Sequence, residues 1–268
     1  KRGIKYTQEF HNNLDVIDAP KMTKCRNKPY TRITFKPDYA RLGVPGLSPH
    51  MIALFRRRVF DVSALTGRGV RVKCDSVAVP VRTFGQYVDL YLDAAAKKVC
   101  DAPHERWEYA VALAPSHEFT QISFVNGIHT NKGGKHVDYI VGQITRKLIA
   151  YIEKKKKVVV NTAAIKEQLM VFVRCDIVNP SFDSQTKDYM NTPSSKFGST
   201  CVVDDKIIEK IAKMGVMDVA CAISEIKETR AAKKTDGAKT KNIRGIPKLI
   251  DANWAGTAKS SECTIILC

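Results

Sequence analysis

The sequence predicts an α+β fold organised around a strand, long helix, strand crossover, and three observations carry that expectation. Val137, Ile140, Val141, Ile144, Leu148, Ile149 and Ile152 recur at spacings of three and four, which keeps one apolar stripe on one helix face. Apolar strand-like segments flank that stripe: Trp107, Tyr109, Val111 and Leu113 alternate before it, and Leu169-Met170-Val171-Phe172-Val173 follows it. The 268 residues are 44% hydrophobic and 26% charged, which suits one large domain or two modest ones and excludes wholesale disorder, collagen and coiled coil.

Taken in order, Tyr30-Thr31-Arg32-Ile33-Thr34-Phe35 alternates with period two and reads as a strand stopped by Lys36-Pro37-Asp38. Ser48 offers an N-cap and Pro49 a first helical residue. A helix is therefore expected through Ile52, Leu54, Phe55, Val59 and Phe60 to about Leu65, ending near Gly67. Val70 to Cys74 alternates again and is expected to turn and return through Val77 to Val81. Tyr87, Val88, Tyr91 and Leu92 share a helical face that Ala94 to Ala96 continue, and Asp101-Ala102-Pro103-His104 reads as a turn. Phe119 to Ile128 is a further strand, broken by Asn131-Lys132-Gly133-Gly134 ahead of the long helix. The run from Leu169 lacks clean alternation, as a strand covered on both faces does. The crossover that leads into it is expected to be right-handed. Past Asn179-Pro180, periodicity returns at Ile207, Ile208 and Ile211, opening a helical region to about Thr229. Residues 230–246 read as a basic hinge, and the last eight residues as one strand.

The net charge is +17, and it is local. Residues 55–73 carry six basic side chains against one acidic, residues 146–157 six against one, and residues 227–248 eight against two. Those three segments hold sixteen of the seventeen excess charges. Any one cluster is explained by solvated surface. Three of them with so little acidic offset point to a polyanion, because each phosphate neutralised releases condensed counterions. No run approaches the roughly 18 apolar residues of a bilayer span, so no membrane partner is expected. The start, Lys1-Arg2-Gly3-Ile4, has neither an initiator Met nor an apolar leader, and the chain is expected to be part of something longer. Its eight Cys stand singly, without C-x-x-C pairs or zinc-like His spacing, and are expected to be free thiols acting as small buried hydrophobes.

The chemistry-bearing segment is Asn179-Pro180-Ser181-Phe182-Asp183-Ser184-Gln185-Thr186-Lys187, directly after the buried strand. A loop at a sheet end lets a Lys reach a ligand without being dehydrated inside a core. An ammonium suits a terminal phosphate, and a Gln amide two residues earlier can donate to the same oxygens. Read only as Q-x-K, the segment is an ordinary surface loop. No nucleophile triad, paired catalytic carboxylates or metal-ligand set can be argued from the residues.

The longer context resembles eukaryotic-type DNA topoisomerase II of type IIA. The loop matches its N-P-x-F-x-S-Q-T-K pattern. Phe119-Thr120-Gln121-Ile122-Ser123-Phe124-Val125-Asn126-Gly127-Ile128 with Gly133-Gly134-Lys135-His136-Val137-Asp138-Tyr139 is similar to its Q-I-S-F-V-N-S-I and G-G-x-H-V-x-Y segments. Ile246-Pro247-Lys248-Leu249-Ile250-Asp251-Ala252-Asn253, followed by Glu262-Cys263-Thr264-Ile265-Ile266-Leu267, is similar to its K-L-x-D-A-N and C-T-L-x-L segments. Tyr30 to Asp38 and Arg56 to Asp61 are similar too, and all the matches stand in family order.

The resemblance implies three parts: residues 1–82 as the end of a GHKL ATPase domain, 83–245 as a transducer of ribosomal-protein-S5-like fold, and 246–268 as the entry to a Toprim domain. It implies that Gln185, Thr186 and Lys187 meet the γ-phosphate of ATP. It further implies that Lys154, Lys155, Lys156 and Lys157 form a lysine loop that touches double-stranded DNA. Lys at a helix C-terminus favours the dipole by about 0.3–1 kcal/mol each, but four in succession repel one another, so helix stability is an inadequate reason for the run. Here Val158-Val159-Val160 replaces the family's more polar or Gly-containing continuation. ATP and Mg2+ as cofactors, a homodimer in the full-length enzyme and a nuclear location, or alternatively an organellar one, follow from the same resemblance. The chain itself shows no GHKL Mg-ATP helix, Gly-rich lid, acidic Toprim cluster or cleavage tyrosine region, so it is not expected to complete the reaction alone. The alternative is a non-enzymatic, basic S5-like nucleic-acid-binding module. The Gly pair is expected to serve backbone geometry and His136 to be a hydrogen-bonded structural residue, neither carrying chemistry.

Overall fold

The computed structural model describes residues 3–67 and 69–222, together with Trp254, Ala258, Lys259 and Ser261. The basic hinge expected at 230–246, the last strand, the whole charged segment 227–248 and the end of the helical region at 223–229 lie outside the described residues. The chain divides into two compact units, Lys1–Arg57 and Arg58–Cys268.

The first unit is built from short ribbons: β1 (Ile4–Thr7) pairs antiparallel with β4 (Lys21–Lys24), and between them β2 (Phe10–His11) pairs with β3 (Val16–Ile17). The strand expected at Tyr30 to Phe35 does not form. No described segment pairs with it, so its backbone has no ladder to join, and Ile33 and Phe35 stand 84% and 77% exposed. Helix α1 (Pro49–Leu65) spans the division, and the Ser48 hydroxyl accepts the Met51 N–H at 3.2 Å as its sequence predicts.

The second unit holds the core. β5 (Lys73–Cys74) returns as β6 (Val77–Ala78) through Asp75 and Ser76, both at positive φ, a two-residue turn whose twist matches its strands. Helix α2 (Phe84–Asp89), capped by the Thr83 hydroxyl, ends before Tyr91, so Ala94 to Ala96 do not continue it. β7 (Lys98–His104) replaces the turn expected at Asp101 to His104; a register irregularity between Asp101 and His104 accommodates Pro103, and the turn falls at Glu105 and Arg106. β8 (Trp107–Leu113) follows. The expected Phe119–Ile128 strand splits into β9 (Thr120–Val125) and β10 (Ile128–His129) around Asn126-Gly127 at positive φ. Then come the short β11 (Gly133–Gly134), α3 (Lys135–Lys156), α4 (Thr162–Lys166), β12 (Leu169–Cys175), β13 (Tyr189–Met190) and α5 (Asp205–Ile211). The helical region continues past α5 to residue 222, through a π-type turn over Ala212–Val216.

The main sheet has the order β10-β9-β12-β8-β7. β9 and β12 are parallel neighbours, so the chain between them, α3 included, is the expected crossover. Period-two alternation sends the two sides of each central strand into different cores. Trp107, Tyr109 and Val111 of β8, with Val171 and Val173 of β12, pack with the α3 stripe. Ala110, Ala112, Phe124, Met170 and Phe172 pack with Phe84, Tyr87 and Val88 of α2. β12 is buried on both faces except at Arg174, as its unalternating sequence predicts. No helix of the described residues is long and apolar enough to cross a membrane.

Candidate functional site

The segment after β12 is pinned before it is displayed. The side chain of Asn126 accepts the Ile177 N–H at 2.8 Å and donates to the Ile177 carbonyl at 3.0 Å, which fixes the exit of β12 from the sheet. From there the chain forms a small hairpin. Asn191 N–H donates to the Ser181 carbonyl at 2.8 Å, Asp183 N–H to the Tyr189 carbonyl at 3.1 Å, and Tyr189 N–H to the Asp183 carboxylate at 3.2 Å. The tip is closed by a Lys187 N–H to Ser184 carbonyl bond of 3.1 Å.

Gln185, Thr186 and Lys187 therefore stand together at one hairpin tip, as their adjacency in sequence predicts. Gln185 and Thr186 are exposed and Lys187 is half-buried, with its Nζ 5.8 Å from the centre of the Phe182 ring. Lys187 has φ +61, a left-handed conformation that a non-glycine residue keeps only when its surroundings impose it. The hairpin's own two carboxylates are hydrogen-bonded within it: Asp188 accepts the Thr186 hydroxyl at 2.9 Å, and Asp183 the Ser184 hydroxyl at 3.1 Å. The tip thus presents a cation, an amide and a hydroxyl, which suits a phosphate oxygen better than a divalent metal.

On its outer side the return limb pairs with a second segment. Gly133 and Gly134 run parallel to Tyr189 and Met190, and Lys132 N–H donates to the Asp188 carbonyl at 2.9 Å. Gly134 is also the residue that caps α3, so the hairpin is joined to the N-terminal end of that helix.

The lysine run lies at the other end of the same helix. Lys154, Lys155 and Lys156 form the last turn of α3, and Lys157 is its C-cap at φ +55. All four side chains are exposed; Lys156 approaches Asp218 at 3.9 Å and Lys155 lies 6.0 Å from the Tyr151 ring centre. Val158 and Val160 turn inward while Val159 is exposed. Lys147 of the same cluster is structural: it donates to the Val203 carbonyl at 2.8 Å and pairs with Asp205 at 2.6 Å. Over its 22 residues α3 spans about 33 Å at 1.5 Å per residue. The two groups of candidate residues are therefore not brought together; they mark the two ends of one rod.

Behind the Gly pair, His136 is fully buried. Desolvation pushes its pKa down to about 3, so the ring is neutral, and its Nε2 meets the Thr130 hydroxyl at 3.2 Å. Cys175 and Cys201 are buried thiols, and burial pushes Cys201 up to about 12. Cys100 is exposed, contrary to the expectation of burial. Among the described residues, Glu9, His11 and Asp18 bring potential metal-ligand atoms within 4.8 Å of one another; His11 pairs with Asp18 at 3.5 Å and Glu9 at 4.0 Å, which accounts for the grouping.

Sequence reasoning assigned no role to Asn126 and only backbone geometry to Gly134. For Asn126 the available signal was an Asn-Gly pair splitting an apolar run; for Gly134, a second Gly where one suffices for a turn.

The family model described as DNA gyrase B matches residues 83–241. The chain belongs to that family. It is 40% identical over 277 residues to DNA topoisomerase 2 of Arabidopsis thaliana, an alignment covering 100% of this chain and 19% of the relative. The chain thus spans about a fifth of the length of the relatives it matches. The crystal structure of the ATPase region of Saccharomyces cerevisiae topoisomerase II superposes with a TM-score of 0.77 at 36% identity, covering 83% of this chain and 58% of that one. The ATPase and transducer domains of DNA topoisomerase II from Balamuthia mandrillaris give 0.78 at 34% identity, covering 85% and 59%. The mixed α/β architecture is therefore that of the topoisomerase II ATPase and transducer region.

Proposed function

We propose that this chain is the nucleotide-sensing segment of an ATP-dependent DNA topoisomerase 2, an enzyme that passes one duplex through another. Residues up to about 82 are the end of the GHKL domain, 83–245 the transducer with a right-handed, S5-like crossover, and 246–268 the approach to Toprim. Lys187 and Gln185, with Thr186, bind the γ-phosphate of ATP held by the preceding domain. The observation that carries this is the hairpin tip, where Gln185, Thr186 and Lys187 stand in succession, closed by the Lys187 N–H to Ser184 carbonyl bond and with Gln185 and Thr186 exposed.

The tip holds its ligand only while the outermost phosphate is present. Hydrolysis removes the anion, the Lys187 contact is lost, and the hairpin with α3 behind it is free to move against the nucleotide domain. Mg2+, when bound, neutralises phosphate charge during the reaction, and its ligands come from outside this tip. At the far end of α3, Lys154 to Lys157 meet the phosphates of duplex DNA, so one helix joins the nucleotide sensor to the DNA contact. The full-length enzyme works as a homodimer and in the nucleus.

The test is Lys187→Ala in the full-length enzyme. A hydrogen bond to a charged group is worth about 1.5–3 kcal/mol, so ATP turnover should fall roughly 10- to 150-fold. Turnover within twofold of the parent would overturn the assignment of Lys187 as the switch lysine.

A further inference from the structure

We infer that Gly134 is a positioning residue for Lys187, acting through a backbone clasp that holds the switch hairpin against the start of α3. The inference rests on the nucleotide-sensing reading of Lys187 and adds to it the part that sets the lysine in place.

The clasp is a close approach that admits no side chain. Gly134 has φ +144, and a Cβ built on it would lie 2.5 Å from the Met190 carbonyl oxygen, 2.6 Å from its nitrogen and 2.9 Å from its Cα. All three are backbone atoms, so no rotamer change relieves the contact. Met190 is three residues from Lys187, and the residues between them are held too: Asp188 accepts the Lys132 N–H, and Tyr189 pairs with Gly133. One limb of the hairpin is thereby fixed to the residue at which α3 begins, immediately beside the left-handed Lys187.

The other side of the clasp is rigid. Gly133 N–H donates to the Thr130 carbonyl at 3.0 Å, and the buried Thr130 hydroxyl joins the Ser123 carbonyl at 3.0 Å, the Ser123 hydroxyl at 2.6 Å and the His136 ring at 3.2 Å. Ser123 belongs to β9, a strand inside the main sheet. The path runs from sheet to Thr130, to the Gly pair, to Met190, to Lys187. A Cβ at Gly134 must push the Met190 backbone by roughly 1 Å to restore ordinary van der Waals separation, and a misplacement of about 1 Å can cost a reacting geometry about 100-fold.

The experiment uses the full-length enzyme with Gly134→Ala, Lys187→Ala and the double variant. The expected result has three parts: kcat for ATP falls ten- to a hundredfold in Gly134→Ala with KM within twofold; a Lys-specific protease cuts after Lys187 at least fivefold faster in the absence of nucleotide; and the double variant turns over no more slowly than Lys187→Ala. Unchanged cleavage overturns the clasp, and so does an additive loss in the double variant, which would mean a merely structural role. If cleavage rises while kcat holds, the inference fails; the Lys187→Ala result then locates the fault, because a normal Lys187→Ala enzyme condemns the sensing reading instead. Should Gly134→Ala not fold, amide exchange in the parent decides: Lys132 N–H protected well beyond Thr186 N–H supports the clasp, and equal exchange overturns it.

Discussion

Replacing Lys154, Lys155, Lys156 and Lys157 together by Gln tests whether the far end of α3 is a phosphate-binding surface. All four side chains are exposed, and Lys156 is the one shared with a carboxylate, Asp218 at 3.9 Å. Three to four phosphates are therefore neutralised when the run meets a duplex. Each contributes about 0.9 to the slope of log K against log salt, so the variant should lose about 2.7–3.6 from that slope. Between 50 and 200 mM salt, a fourfold change, the parent's affinity should drop about 40- to 150-fold more than the variant's. Fluorescence anisotropy of a short labelled duplex, titrated with parent and variant across that salt range, measures it. The substitution removes favourable charge from the helix C-terminus, about 0.3–1 kcal/mol for each Lys in the last turn, which does not threaten a helix held by the buried Val137, Ile140, Val141, Ile144, Leu148 and Ile152. Far-UV circular dichroism should be unchanged. Parallel salt lines for the two proteins would refute the assignment, because they would mean that these charges meet no phosphate.

Two further outcomes follow from the buried polar groups. His136 is neutral in the fold, with a pKa near 3, while in the unfolded chain it protonates below 6.5. Its contribution is therefore whole above pH 6.5 and is lost as the pH falls towards 3, so between pH 6.5 and 4.5 the parent should lose about 2–3 kcal/mol more than His136→Gln in denaturant unfolding; equal losses would show that the ring is not desolvated. The Tyr87 hydroxyl donates to the buried Asp61 carboxylate at 2.6 Å and meets the Tyr91 hydroxyl at 2.7 Å, and burial with that hydrogen bond pushes the phenol's pKa upward. Tyr87→Phe leaves Asp61 with the Arg58 guanidinium at 3.1 Å and should cost about 1–3 kcal/mol in urea unfolding; a change under about 0.3 kcal/mol would show the network to be slack.

What could be read beforehand and what could not separate along a physical line. The α3 stripe, the Ser48 cap, the unalternating β12 and the adjacency of Gln185 with Lys187 are all written within a few turns or residues, where periodicity of 3.6 or 2 and capping chemistry act. The failures needed a partner from elsewhere in the chain. Tyr30 to Phe35 has a strand's alternation and no described strand to pair with, so propensity alone did not make a ladder. Lys98 to His104 looked like a turn because of Pro103, yet β8 lies beside it and supplies the pairing that a bulge lets it accept. The same distinction governs the candidate site. The residues proposed to meet the phosphate crowd into three adjacent positions, Gln185, Thr186 and Lys187, and the family resemblance rather than the Q-x-K spacing assigns their ligand. The residues that hold the hairpin, Asn126 through side-chain hydrogen bonds to Ile177 and Gly134 through a close backbone approach to Met190, lie about 50–60 positions before the residues they contact. A glycine selected because a remote backbone must pass within van der Waals reach has the same sequence signature as one selected for a turn. Only the register of β11 on β13 tells them apart. In the proposed mechanism the hairpin is held in one place until a phosphate leaves, and there that register matters as much as the lysine at its tip.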